Sequence, residues 1–311
     1  MVSKIFTKPL PYIALILAHV IWGIHFVVTK LTLQEFPLYT LAFLRFALAS
    51  LLILPFFIAH KQKLKVNRKD LPQLVGVGIF IITFNIAFFF AGIEKTTASQ
   101  GSIVTLIIPI LSVLLGWTIL KEKIYLPNLL GIGLGLLGTL VVIGIPNIFL
   151  GNFSPINFLG NILILLASIS FVIGAVISRK MLKIYSSLTV TTIAFLVGVI
   201  TFLPPAINEY LQNPGWTAQV TLLGLLGLLY IAVLSSISAY FLFEWGLSKT
   251  SLISADLFQY IEPFFASLFA VMVLSEVITV EFIIGAALIV VGVYLGTLAK
   301  EAHHRHKIHR T

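Results

Sequence analysis

KTTASQGSIVTLIIPILSVLLGWTILKEK (residues 95–123) and KTSLISADLFQYIEPFFASLFAVMVLSEV (residues 249–277) are two versions of one stretch. At an offset of 154, Lys95 falls on Lys249, Pro109 on Pro263, Leu120 on Leu274 and Glu122 on Glu276. The register persists into the next apolar run, where Gly131 falls on Gly285 and Gly138 on Gly292. Upstream the match loosens: AFL at 42–44 recurs at 194–196, slightly out of that register. Identities at helix-shaping positions, kept in register across two runs, mark an internal repeat.

Each copy contains a mostly apolar run, and a membrane-spanning helix needs about 20 such residues. Working outward, the chain offers ten: 11–29, 37–58, 72–93, 97–120, 126–145, 157–178, 187–206, 219–246, 252–274 and 280–299. The longer polar breaks are 60–70, the neutral 145–158, 207–216 and the tail from Lys300. Composition agrees. Of 311 residues, 59% are hydrophobic and 10% charged, with a mean hydropathy of +1.08; soluble domains carry about 25% charged residues. The solvent for this surface is lipid. The run from Pro11 is long and lacks a small-residue cleavage pattern, so it reads as a retained first helix rather than a signal peptide. Cysteine is absent, which excludes disulfides and thiolate metal sites.

Charge placement orients the chain. With the N-terminus in the cytoplasm, 17 of the 20 Lys and Arg fall in cytoplasmic segments. Only Lys30 and Lys95 fall outside, and Arg45 lies within helix 2. Both termini are expected in the cytoplasm, with a bacterial inner membrane as the natural setting. The net charge of +9 is then a topology signal and not a nucleic-acid footprint. Five helices per repeat is an odd number, so the second copy enters the membrane from the opposite side. The expected fold is all-α and membrane-integral, with ten helices in two inverted repeats: residues 1–150, 151–300 and a basic cytoplasmic tail at 301–311. Inverted repeats characterise secondary transporters, whose solute site lies near the midplane between the repeats.

These residues resemble the drug/metabolite transporter superfamily, specifically its ten-helix EamA-type members. The resemblance is carried by Thr96 to Ser99, Pro109, Leu120 to Lys123, Gly131 and Gly138, and again by Ser251 to Ala255, Pro263, Leu274 to Glu276, Gly285 and Gly292. Trp22, Gly23 and Arg45 fit it as well, and it runs over roughly residues 10–299. The second copy departs from the first in having Ser275 where Lys121 stands and in lacking a counterpart of Arg45. The resemblance implies a transporter of small metabolites, often an exporter of amino acids or similar solutes.

An ionisable group at membrane depth costs at least ~2.5–3.5 kcal/mol to insert, so each is a functional candidate. Glu262 leads. It stands mid-helix beside Pro263, which removes a backbone donor and frees a carbonyl near Tyr260 and Gln259. A carboxylate beside freed carbonyls suits a polar cavity and a proton-carrying site. Arg45 lies about 8 residues into helix 2, about 12 Å deep at 1.5 Å per residue; a link to Glu262 or a structural clamp would each satisfy it. His25, three residues from Trp22, suits a pathway wall, while His19, six residues away, does not share its face. Asn85 and Tyr240 are polar and mid-membrane. Glu244, Asp256 and Lys249 form a possible inner gate, with capping and interface solvation the simpler account of the two acids. Gly131, Gly135, Gly138, Gly285, Gly292 and Gly296 predict close packing of helices 5 and 10. His303, His304, His306 and His309 could bind a metal, but a cationic tail on anionic lipid explains them more simply.

Three function classes compete. A secondary carrier fits the inverted repeats, with protons or the solute gradient as the driving force; no nucleotide-binding motif occurs. A membrane enzyme on lipid-linked substrates needs clustered His, Asp or Glu at an interface, and the three histidines outside the tail are scattered. A channel needs rings of groups from symmetric subunits. The carrier is favoured, without a cofactor. Ten helices can enclose a cavity in a monomer, and a dimer is compatible with that.

Overall fold

A computed structural model of the chain describes residues 9–59, 66–121, 124–143 and 155–275, with short pieces between 280 and 295. They form ten helices: α1 (Leu10–Thr32), α2 (Leu38–Ala59), α3 (Leu71–Ile93), α4 (Ala98–Thr118), α5 (Leu126–Ile143), α6 (Pro155–Met181), α7 (Ser187–Gln212), α8 (Leu222–Lys249), α9 (Leu252–Leu274) and, in part, α10 (Ile283–Gly292). No strand occurs among the described residues. Lipid offers no hydrogen bonds, so each apolar run satisfies its backbone within itself. Large side chains such as Leu211, Leu222 and Met272 face outward, as a lipid-contacting surface requires. The tail and its four histidines lie outside the described residues, as do Glu122, Glu276 and Gly296.

Several helix ends differ from the sequence expectation by up to three residues, and the end of helix 7 by more. Helix 8 does not begin at 219: Pro214–Gln219 forms a 3-10 turn, and Thr221 then caps α8 by accepting from Gly224 N. Helix 7 does not stop at 206 but runs through Pro204 and Pro205 to Gln212. That extension brings Glu209 to the start of α2, where its carboxylate accepts from Tyr39 N (3.0 Å), Thr40 N (2.7 Å) and Thr40 Oγ1 (2.8 Å). An anion at a helix N-terminus is favourably placed.

The repeats interlock. Helix α1 packs on α8 and α9, and its counterpart α6 packs on α3 and α4. Helices α2 and α7 lie against each other, as do α4 and α9. Local chemistry follows the same symmetry. Thr97 caps α4 by accepting from Gln100 N, and Ser251 caps α9 by accepting from Ser254 N, both at 3.1 Å. The positive-φ non-glycine residues among the described ones are Lys121 (57°) and Ser275 (56°), each just beyond its helix. They stand 154 positions apart, so the departure of Ser275 from lysine leaves the turn unchanged.

Mid-membrane backbone is irregular at matching places. Helix α3 widens to a π-helix over Gly78–Phe84 and α8 over Tyr230–Ser238. Helix α4 breaks after Val104 and resumes at Ile107, two residues before Pro109. Helix α9 tightens to 3-10 geometry over Leu257–Ile261, just before Pro263. Each proline removes a backbone donor, which explains the disturbance one turn upstream.

Candidate functional site

The irregular segments of α4, α8 and α9 border a small, partly open cavity of about 70 Å³. Small-solute sites commonly span about 300–1,000 Å³, so this one is narrow as the helices stand. Both repeats supply its walls, from α1, α2, α3 and α4 on one side and α6, α8 and α9 on the other.

Glu262 forms one wall. It is 2% exposed and shares a 2.7 Å hydrogen bond with His19 Nδ1. Gln259 Nε2 donates to its other carboxylate oxygen and reaches Thr105 Oγ1 at the break of α4 (3.3 Å). The approach of α1 that brings His19 there depends on Gly23. A Cβ on Gly23 would lie 2.8 Å from the Glu262 carbonyl oxygen and 2.9 Å from Phe265 Cβ, so two backbones touch at this point.

Arg45 forms another wall. Its side chain is buried (1% exposed), with Nε donating to Ser236 Oγ (2.9 Å) and Nη2 to Ser235 Oγ (3.5 Å). Its guanidinium lies 4.8 Å from the Phe46 ring centroid and 5.7 Å from that of Phe90. No ion pair joins it to Glu262 among the described residues. The reason lies in α8, whose π segment presents Ser235 and Ser236 to α2 and so gives Arg45 hydroxyl partners.

Aromatic rings bridge the two polar walls. Trp22 Nε1 donates to the Ser235 carbonyl (3.1 Å), and its ring meets Tyr240 (5.2 Å) and Phe171 (6.1 Å). His25 hydrogen-bonds Thr29 and stacks on Phe89 (5.6 Å). Asn85 Nδ2 donates to the Ala167 carbonyl (2.9 Å). Of the residues expected from sequence to line a pathway, Glu262, Gln259, Trp22, His25, Asn85, Tyr240 and Arg45 all line this cavity. Tyr260 instead turns away, against Gly135 of α5.

Glu244, Asp256 and Lys249 are not brought together. Glu244 (2% exposed) accepts from Ser178 Oγ at 2.6 Å, and Asp256 (0%) accepts from Ser112 Oγ. Neither is a solvated interface group, and Lys249 is exposed at the end of α8. The glycine expectation for helices 5 and 10 fits the contact seen: a Cβ on Gly292 would lie 2.6 Å from the Gly131 carbonyl oxygen. Sequence reasoning set His19 aside because it does not share the face of His25, and passed over Ser235, Ser236 and Thr105. The available signal was that polar groups in apolar helices need partners.

A profile of the EamA-like transporter family matches residues 9–144 and, a second time, residues 158–298. An uncharacterized transporter of Archaeoglobus fulgidus is 28% identical over 286 residues, 92% of this chain and 96% of the relative. A probable amino-acid metabolite efflux pump of Escherichia coli is 26% identical over 286 residues, 90% and 92% of the respective chains. A crystal structure of a protein aligns with a TM-score of 0.71 at 18% identity, covering 94% of this chain and 98% of that one; that likeness speaks for the fold alone.

Proposed function

The chain belongs to the EamA-like transporter family, and we propose that it is a secondary carrier that exports small organic metabolites, amino acids or related solutes, by alternating access. The observation that carries this reading is the cavity itself. It lies between the two repeats, at the irregular segments of α4, α8 and α9, and takes polar groups from both. Irregular backbone at membrane depth is tolerated where it lines a cavity. Rocking one repeat against the other would then expose the site to each side in turn. The name of the Escherichia coli relative supports an amino-acid-like cargo, as does a wall combining aromatic rings with one cation and one carboxylate. The Lys and Arg placement supports cytoplasmic termini in a bacterial inner membrane. Glu262, with His19 and Gln259 around it, is the group proposed to exchange a proton during the cycle.

Because the chain has no cysteine, a single thiol reports accessibility cleanly. Ser168 is a cavity-lining residue with 1% exposure. A Ser168→Cys protein in sealed proteoliposomes should react with an impermeant thiol reagent added on either side, and saturating solute should shift the ratio of the two rates. Reaction from one face only, indifferent to every solute tried, would contradict alternating access.

A further inference from the structure

We propose that Arg45 is the carboxylate receptor of the cavity, so that the cargo must carry a free carboxylate; this rests on the carrier reading above. Arginine keeps its charge in proteins, and an unpaired buried cation costs several kcal/mol. Among the described residues this one has only neutral company: the hydroxyls of Ser235 and Ser236 and the faces of Phe46 and Phe90. Nη1 has no hydrogen-bond partner among the described residues, and the bond from Nη2 is long. The carboxylate that shares the cavity, Glu262, is occupied by His19 and Gln259.

Charge balance and hydrogen-bond balance therefore point the same way. Among the described residues the guanidinium lacks an anion, and it keeps donor capacity on a side chain that lines the cavity. Such a fork accepts a carboxylate bidentately. The structure favours a carboxylate over a phosphate ester, because among the described residues no lysine and no second arginine lines the cavity to share a doubly charged group. The aromatic wall between Arg45 and Glu262 suits an apolar body. An amino group at the far end would meet the Glu262 cluster, so a zwitterion satisfies both walls at once.

The test is binding to the full chain in lipid nanodiscs. Amino, hydroxy and keto acids, including L-phenylalanine and L-leucine, are each paired with the corresponding amide, in chloride and in methanesulfonate buffer. For the acids that bind, the wild type should prefer acid to amide at least tenfold. Arg45→Met should bring that ratio near one, and Arg45→Lys, which keeps the charge and loses the fork, should fall between. If the variants do not fold, the wild-type ratio alone decides. Equal binding of acid and amide by the wild type, a ratio unchanged in Arg45→Met, or no acid bound at all would overturn the proposal. So would chloride stabilising the wild type while no acid competes with it. Solute-dependent labelling at Ser168→Cys separates the two failures: if it persists, the carrier stands without the receptor.

Discussion

Gly23→Ala tests whether the contact between α1 and α9 assembles the site. The added methyl carbon would lie 2.8 Å from the Glu262 carbonyl oxygen, 2.9 Å from Phe265 Cβ and 3.3 Å from Glu262 Cα. None of these atoms can rotate away without moving backbone. Restoring ordinary separations near 3.5 Å needs the helices to part by about 0.6 Å. His19 lies one turn from Gly23, so the same displacement stretches its 2.7 Å bond to Glu262. Overpacking of this kind costs about 1–3 kcal/mol, partly offset by up to ~1 kcal/mol of helix propensity gained over glycine. At about 2–4 °C per kcal/mol, the melting temperature should fall by several degrees, and uptake should fall with it. Gly133→Ala supplies the control, since a Cβ there meets nothing within 4 Å; it should be neutral or stabilising. Melting by tryptophan fluorescence in nanodiscs reads both variants. If Gly23→Ala melts at or above the wild type, level with Gly133→Ala, the close approach does not hold the site together.

Trp22→Phe keeps an aromatic ring against Tyr240 but removes the donor to the Ser235 carbonyl. An unsatisfied buried acceptor costs about 1–3 kcal/mol, so melting should drop; an unchanged melting temperature would mean the bond adds nothing. Glu209→Gln weakens the anion at the start of α2. It should destabilise by about 0.3–1 kcal/mol, with the loss shrinking in high salt; a loss independent of salt would contradict the electrostatic reading. The Tyr185 phenol is held above its ordinary value chiefly because it donates to Asp70 (2.6 Å). A raised value means that the link is intact below about pH 10 and is lost as pH rises through the raised value. In alkaline difference absorbance, the transition missing from Tyr185→Phe should come at lower pH in Asp70→Asn, and no movement would contradict the cause assigned.

How much was legible follows from the kind of signal each residue carries. Glu262 and Arg45 stood out because charge in an apolar run is costly wherever its partners lie. The disturbance before Pro263 was legible because a proline acts on the nearest turn; the caps at Thr97 and Ser251 and the break before Pro109 were not among the expectations. His19 was not, because its partner lies 243 residues away and a lone histidine in a helix reads as packing. The link considered between Arg45 and Glu262 is replaced by Ser235 and Ser236, because a π-helical turn leaves no signature in an apolar run. It decides where α8 aims those hydroxyls. Glu244 and Asp256 were placed near helix ends correctly, but position along a helix does not show that Ser178 and Ser112 reach across to them.

The account centres on a carrier with a working carboxyl in its middle, and uptake into proteoliposomes tests that most directly. Amino acids and related metabolites are offered to wild type and Glu262→Gln, with and without a pH gradient. The account predicts saturable uptake that responds to the gradient in the wild type and loses that response in Glu262→Gln. Uptake indifferent to both the gradient and the substitution would make Glu262 a structural group. Absence of uptake of any solute by folded, reconstituted protein would contradict the carrier itself.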